Sequence, residues 1–272
     1  MSKNKYFNYL FITNNPEIAK YVESFGVNRI FIDLERLNKL ERQGHLDTVI
    51  SKHSFDDIKV VKSSLEKADV LVRLNPFNRE TKEEIELAIE NGADILMLPM
   101  FRTIEEVTKF GKIIDGRVKF IPLIETQAAA SIAKELDDLD CVDELHFGLN
   151  DLHLDMGLKF MFEPLANGLI DSWTRELRKP FGIGGIARAN EGIVSGEAVM
   201  GQQVRLGSSG VILSRSFHMR SQNLDELKKR IDFEAELNKL ELIRSRCSDY
   251  DKTTQDLEYS NFKQLISNII KG

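Results

Sequence analysis

FIPLIETQAAASIAKELDDLDCVDELHFGLNDLHLDMG, Phe120 to Gly157, is the stretch whose reading decides the fold. It holds two apolar runs that each end beside a carboxylate. Phe120 to Ile124 stops at Glu125, and Glu144 to Gly148 stops just before Asp151. Parallel strands joined through a helix point their carboxyl ends the same way, so the two acids are expected side by side on one rim of a sheet or barrel. Paired carboxylates in that position suit a hard divalent cation, Mg2+ or Mn2+, which takes oxygen ligands and leaves places for water or substrate. A first-turn acid on each following helix is the structural alternative. Gly148 would let backbone approach a ligand closely, and the amides of Asn150 and Asp151 are candidates for holding a substrate carboxylate.

Outward from this pair, the chain repeats one unit. Tyr9 to Ile12 reads as a strand and Pro16 to Ser24 as the helix after it, ended by Gly26. Asn28 to Leu34 is apolar on both faces, as a covered parallel strand should be. A long polar connection follows, ERLNKLERQGHLDTVISKHSFDD, leaving from the rim that carries the acids and containing His45 and His53. Loops of that length inside a compact domain are uncommon and often functional. Further strands are predicted at Asp69 to Leu74, Ile95 to Leu98, Gly182 to Ile186 and Gly210 to Leu213, with helices at Thr81 to Glu90, Thr103 to Ile114 and around Gly192 to Arg205. Eight strand–helix units predict a (β/α)8 TIM barrel over residues 1–220. From Asn223, Leu224, Leu227, Ile231, Phe233, Leu237, Leu240 and Ile243 recur at helical spacing, and a last helix is predicted from Asn261 to Ile270. This extension, 221–272, must bury its stripe either in a homo-oligomer contact or on its own barrel.

Composition removes several classes of function. The formal charge of −6 gives no attraction to nucleic acid, and the basic residues are interspersed with acids. The two cysteines, Cys141 and Cys247, are too far apart for a CxxC zinc site and too few for a disulfide framework. The apolar stretch Tyr6 to Thr13 is short and lacks a cleavage site, and no run is long enough to span a bilayer, so a soluble cytoplasmic protein without membrane association is expected.

The pairing of IET at 124–126 with GLNDLHLDMG at 148–157 resembles the HpcH/HpaI aldolase and citrate lyase superfamily, and FIDLE at 31–35, VRLNP at 72–76 and NGADILMLPM at 91–100 fall in that family's order. The resemblance covers roughly residues 8 to 215. It implies Mg2+ or Mn2+ on Glu125 and Asp151, and an arginine, Arg73, beside the substrate carbonyl or enolate oxygen. It also implies acids, Asp33 and Glu35, near the metal and its waters. The implied activity is a carbon–carbon lyase working on a hydroxy-2-oxo acid through a pyruvate-type enolate. Alternatives are a citrate-lyase-like enzyme acting on acyl-CoA and a non-catalytic barrel that binds metal and carboxylate. Where the aldolases carry a catalytic histidine this sequence has Arg36, a substrate-contact candidate, while citrate-lyase-like members usually have an acid there. His45 or His53 from the long loop would then supply an imidazole. Glu90 matches an acid that assists the histidine in some aldolases. Gly182, Gly184 and Gly185, followed by Arg188, suggest backbone close to substrate. Met97 and Met100 read as core, and Trp173 as core or interface.

Overall fold

The computed structural model describes residues 7–37 and 52–272. Eight parallel strands close into one barrel in sequence order: β1 (Asn8–Ile12), β2 (Arg29–Asp33), β3 (Asp69–Arg73), β4 (Ile95–Leu98), β5 (Lys119–Ile124), β6 (Leu145–Phe147), β7 (Phe181–Ile186) and β8 (Gly210–Leu213). The helices that cover it are α1 (Pro16–Glu23), α2 (Phe55–Ser64), α3 (Thr81–Glu90), α4 (Ile104–Ile114), the short pair α5 (Gln127–Ser131) and α6 (Ala133–Asp137), then α7 (Leu149–Asp155), α8 (Glu163–Ala166), α9 (Leu169–Thr174) and α10 (Gly196–Leu206). This is a (β/α)8 TIM barrel. Local chemistry sets the helix starts. Asn15 accepts hydrogen bonds from the Glu17 and Ile18 amides ahead of Pro16, and Thr103 and Glu106 form a reciprocal capping box.

Strand alternation sorts the side chains into two cores. Leu10, Phe31, Leu71, Ile95, Met97, Ile121 and Leu123 fill the barrel interior. Their neighbours along each strand, such as Ile30, Ile32, Val70 and Val72, join the larger core beneath the helices. Met97 is thus core, as its sequence context suggested. Trp173 is half-buried with its ring parallel to that of Phe147.

Three helices follow the barrel: α11 (Leu224–Arg230), α12 (Phe233–Ser248) and α13 (Lys252–Lys271). The charged helix expected from Asn223 is broken at Ile231, because Asp232 caps a new helix through the Ala235 amide. The last helix begins nine residues earlier than its apolar pattern, with Asp251 as its cap. The apolar stripe is buried within this chain: Phe233 packs against Phe11 and Phe217 at 5.7 Å, and Leu237, Leu240 and Ile243 belong to the main core.

Candidate active site

The carboxyl rim of the barrel gathers charge because the inward positions of several strands end in polar residues. Along β2 the inward side chains run Arg29, Phe31, Asp33, and the register places Asp33 opposite Arg73 and Phe31 opposite Leu71. Arg73 therefore meets Asp33 with both ends of its fork: Nε donates to Oδ1 at 3.0 Å and Nη2 to Oδ2 at 2.9 Å. Two residues beyond Asp33, Glu35 turns the same way and brings Oε2 to 3.4 Å from Arg73 Nη2. Both acids are almost wholly buried. Burial on its own would lower the pKa of Arg73, but Asp33, Glu35 and then Glu125 outweigh it and hold the guanidinium well above its ordinary value. Arg73 is a fixed cation, 5.5 Å above the Phe31 ring.

Glu125 follows the last residue of β5, and its Oε1 accepts a hydrogen bond from the Met100 amide at 3.0 Å. Met100 takes a left-handed backbone, φ 53°, two residues beyond β4. Its side chain reads as core in the sequence, but its amide fixes a carboxylate. On the other flank, Gly148 donates to the Ile124 carbonyl at 2.9 Å and lies so close that a Cβ there would stand 3.0 Å from Glu125 Oε2. One turn on, in the first turn of α7, is Asp151, also buried. Asp155 anchors the same helix by accepting from Arg102 at 2.6 Å and from the Gln127 amide at 2.8 Å. The backbone N–H groups of Asn150 and Asp151 lie in that first turn, next to Gly148.

Donor chemistry decides whether these residues suit a divalent cation. Among the described residues, four buried carboxylates, Asp33, Glu35, Glu125 and Asp151, share this rim with Arg73 and with the half-buried Arg188 and Arg215, which follow β7 and β8. Among the described residues no group of three or more His, Cys, Asp and Glu side chains forms a ready cage. Glu125 and Asp151 offer the carboxylate oxygens that would suit a hard cation.

The other sequence candidates scatter. His45 lies outside the described residues. His53 is buried, and its Nδ1 accepts the Asp33 amide at 3.0 Å, so the ring holds the end of β2 in place. Arg36 is exposed; its Nη2 donates to the His53 carbonyl at 2.7 Å and its amide to Asn75 at 2.9 Å. Glu90 ends α3, exposed at the opposite rim from Arg73, which puts the assisting role out of reach within one chain. Two of the β7 glycines are required by packing, since a Cβ on Gly182 would strike His146 Nδ1 at 2.4 Å and one on Gly184 would meet Leu149 at 2.9 Å, whereas a Cβ on Gly185 would come no nearer than 3.6 Å to Ser214. Arg215 escaped the sequence reading. Its only cue was its place two residues beyond β8, on the rim where the acids were already expected.

The sequence model described as HpcH/HpaI aldolase/citrate lyase matches residues 9–163, which is 155 of the 272 residues. No curated protein matches the chain. Among solved structures it is similar to an HpcH/HpaI aldolase from Desulfitobacterium hafniense DCB-2, at 19% identity over 77% of this chain and 86% of that one, with a TM-score of 0.56. An HpcH/HpaI aldolase/citrate lyase family protein from Burkholderia cenocepacia J2315 matches at 14% identity over 79% and 91%, with a TM-score of 0.61. Macrophomate synthase matches at 15% identity over 76% and 77%, with a TM-score of 0.55. At such identities the likeness is one of fold, whereas the family match runs from β1 to the start of α8 and takes in Asp33, Glu35, Arg73, Glu125 and Asp151. The chain belongs to the HpcH/HpaI aldolase/citrate lyase family.

Proposed function

We propose that this chain is a divalent-metal-dependent carbon–carbon lyase that cleaves, and in reverse forms, a hydroxy-2-oxo acid through a pyruvate-type enolate. The observation that carries the reading is Arg73, locked by Asp33 and Glu35 beside the buried Glu125. Glu125 and Asp151 would hold Mg2+ or Mn2+, which when bound polarises the carboxylate and carbonyl oxygens of a 2-oxo acid. The amides of Asn150 and Asp151, opened by Gly148, receive the substrate carboxylate.

In the cleavage direction a base takes the proton of the hydroxyl, the carbon–carbon bond breaks as that oxygen becomes an aldehyde carbonyl, and the bonding pair passes into the enolate. Arg73 faces the enolate oxygen with a charge already oriented by its two acids, so little reorganisation accompanies the step. The base comes from the segment 33–53. Asp33 and Glu35, the described acids of that segment, both hold Arg73, and Arg36 lies at the outer edge as a substrate contact. A citrate-lyase-like reaction on an acyl-CoA is the second reading, supported by DLE at 33–35 and VRLNP at 72–76.

The test is pyruvate release from a panel of hydroxy-2-oxo acids with Mn2+, in the wild type and in E125Q and D151N. Each substitution should weaken Mn2+ binding by more than about a hundredfold, since even an outer partner of a metal ligand is worth 10–100-fold, and turnover should fall with it. Undiminished pyruvate release in EDTA would sink the proposal. Saturable Mn2+ and oxalate binding without turnover on any hydroxy-2-oxo acid or acyl-CoA would make the chain a binding protein.

A further inference from the structure

Outside the barrel, a cavity of about 260 Å3 lies between α10 and the last two helices, α12 and α13. Ala198, Cys247, Phe262 and Leu265 make its apolar wall, and Cys247 and Phe262 are buried. An apolar cavity of about 150 Å3 is enough for benzene, so this one has room for a single ring with a short substituent. None of the carboxylates or arginines of the candidate active site lines it.

Two residues of α10 set this space apart. Gly201 stands in the middle of the helix, where glycine is a poor choice beside alanine. A Cβ added there would meet no atom within 4 Å, so no neighbour excludes a side chain, and its absence leaves the cavity open. One residue on, Gln202 is 2% exposed and lines the same space. Its Oε1 accepts from Arg205 Nε at 2.7 Å, and because a guanidinium only donates, this bond fixes which end of the amide is oxygen. Arg205 itself is committed to Asp171 and to the face of the Tyr259 ring. Gln202 Nε2 donates to no described residue. Buried polar groups nearly always find a partner, and an acceptor in the cavity would supply this one.

The mouth decides the charge of what enters. Arg246 is paired with Glu197, whereas Glu258 has no ion-pair partner among the described residues. An anion would be repelled by that carboxylate, and a neutral molecule would not. We propose that this cavity binds a small neutral molecule with one apolar ring and a carbonyl oxygen, the ring lying against Cys247 and Phe262 and the oxygen accepting from Gln202 Nε2. An aromatic carboxamide is the simplest member of that class. The assignment does not rest on the lyase reading.

Benzamide, benzoate and toluene are titrated by saturation-transfer NMR into the full-length chain and into G201L and Q202E. Benzamide should bind the wild type saturably, with a Kd of about 1 mM for a ligand of its size. Q202E keeps an oxygen for Arg205 and turns the free donor into an acceptor, so benzamide should bind about tenfold more weakly there while toluene is unaffected. G201L fills the space and should abolish the binding of both. Thermal melts check that the variants fold, and G201L, whose Cβ enters open space, decides alone if Q202E does not. No saturable benzamide binding to the wild type, or equal binding in all three proteins, overturns the proposal. Benzoate or toluene binding the wild type as tightly as benzamide overturns the assignment of a neutral carbonyl. If the wild type self-associates on sedimentation and G201L makes it monomeric, the face joins two copies and the ligand reading falls.

Discussion

Both ends of the barrel bury an arginine against carboxylate, in a single pair at one end and in a cluster of acids at the other. At the amino end, Arg29 gives both guanidinium nitrogens to Glu144, at 2.8 and 2.6 Å, one cation to one anion, beside the buried His146. At the carboxyl end, Arg73 faces Asp33, Glu35 and Glu125, with Asp151 one helical turn from Gly148. The same chemistry makes a plug where one cation meets one anion and a cluster where one cation gathers several carboxylates. Crowded carboxylates supply the oxygens that a hard cation takes, and a matched pair has none to offer.

Substitution of each arginine or its partner should therefore break different properties. R73Q is expected to lower kcat by about 10^2 to 10^3-fold, the cost of removing one preorganised donor from a developing oxyanion. E144Q leaves Arg29 buried without its partner and is expected to cost about 3–5 kcal/mol of stability, with kcat per folded molecule unchanged. The double substitution R29L/E144L should recover most of that loss, because a matched apolar pair replaces a buried ion pair at little net cost. Steady-state kinetics and urea melts on the three proteins check this. If E144Q lowered kcat as far as R73Q does, the division between plug and site would be wrong.

Two glycines sharpen the division. A Cβ at Gly148 would press on Glu125 Oε2 at 3.0 Å and on its Cβ at 3.1 Å. Its φ of −89° is ordinary, so G148A adds no backbone strain and acts through that carboxylate. We expect Mn2+ affinity to fall about tenfold, the low end for disturbing a metal ligand through its neighbour, with stability little changed. In G182A the new methyl meets His146 at 2.4 Å and the Gly210 carbonyl at 3.0 Å. Overpacking of this kind costs about 1–3 kcal/mol and should leave Mn2+ affinity alone. Metal titration and thermal melts on both variants distinguish the two outcomes.

How legible all this was in the sequence depended on the range of the interaction. The strand–helix alternation and the two carboxylates at strand ends were readable because a period-two pattern and an abrupt polar stop are local signals. The Arg73 to Asp33 pair was legible as one of two alternatives, since alternation told which way each pointed but not how far apart they would lie. Met100, Arg215 and the packing use of Gly182 were not legible. The first acts through a backbone amide that every residue has, the second sits on a strand end 182 residues from Asp33, and the third answers to His146 on a neighbouring strand. The same limit applied to the C-terminal stripe, whose spacing fixed a helix but not the aromatic cluster around Phe233 that buries it.

The smallest expected effect is on pH, and it again sets one end of the barrel against the other. His146 at the amino end and His218 at the carboxyl end are both lowered to about 4, first by burial and next by a neighbouring arginine, Arg29 for His146 and Arg215 for His218. In the unfolded chain each titrates near 6.5, so between pH 6.5 and 4 the unfolded state binds more protons, and stability falls as the pH is lowered through that window. At pH 5.5 the loss should be about 1 kcal/mol per histidine relative to pH 7.5. Urea melts at the two pH values test this in the wild type, H146N and H218N. Each variant should lose one histidine's share of the pH dependence, because burial is the first cause at both ends. If neither variant changes the slope, the proton uptake belongs to the carboxylates crowded around Arg73. Acid would then weaken the carboxyl rim while leaving the amino end as it is.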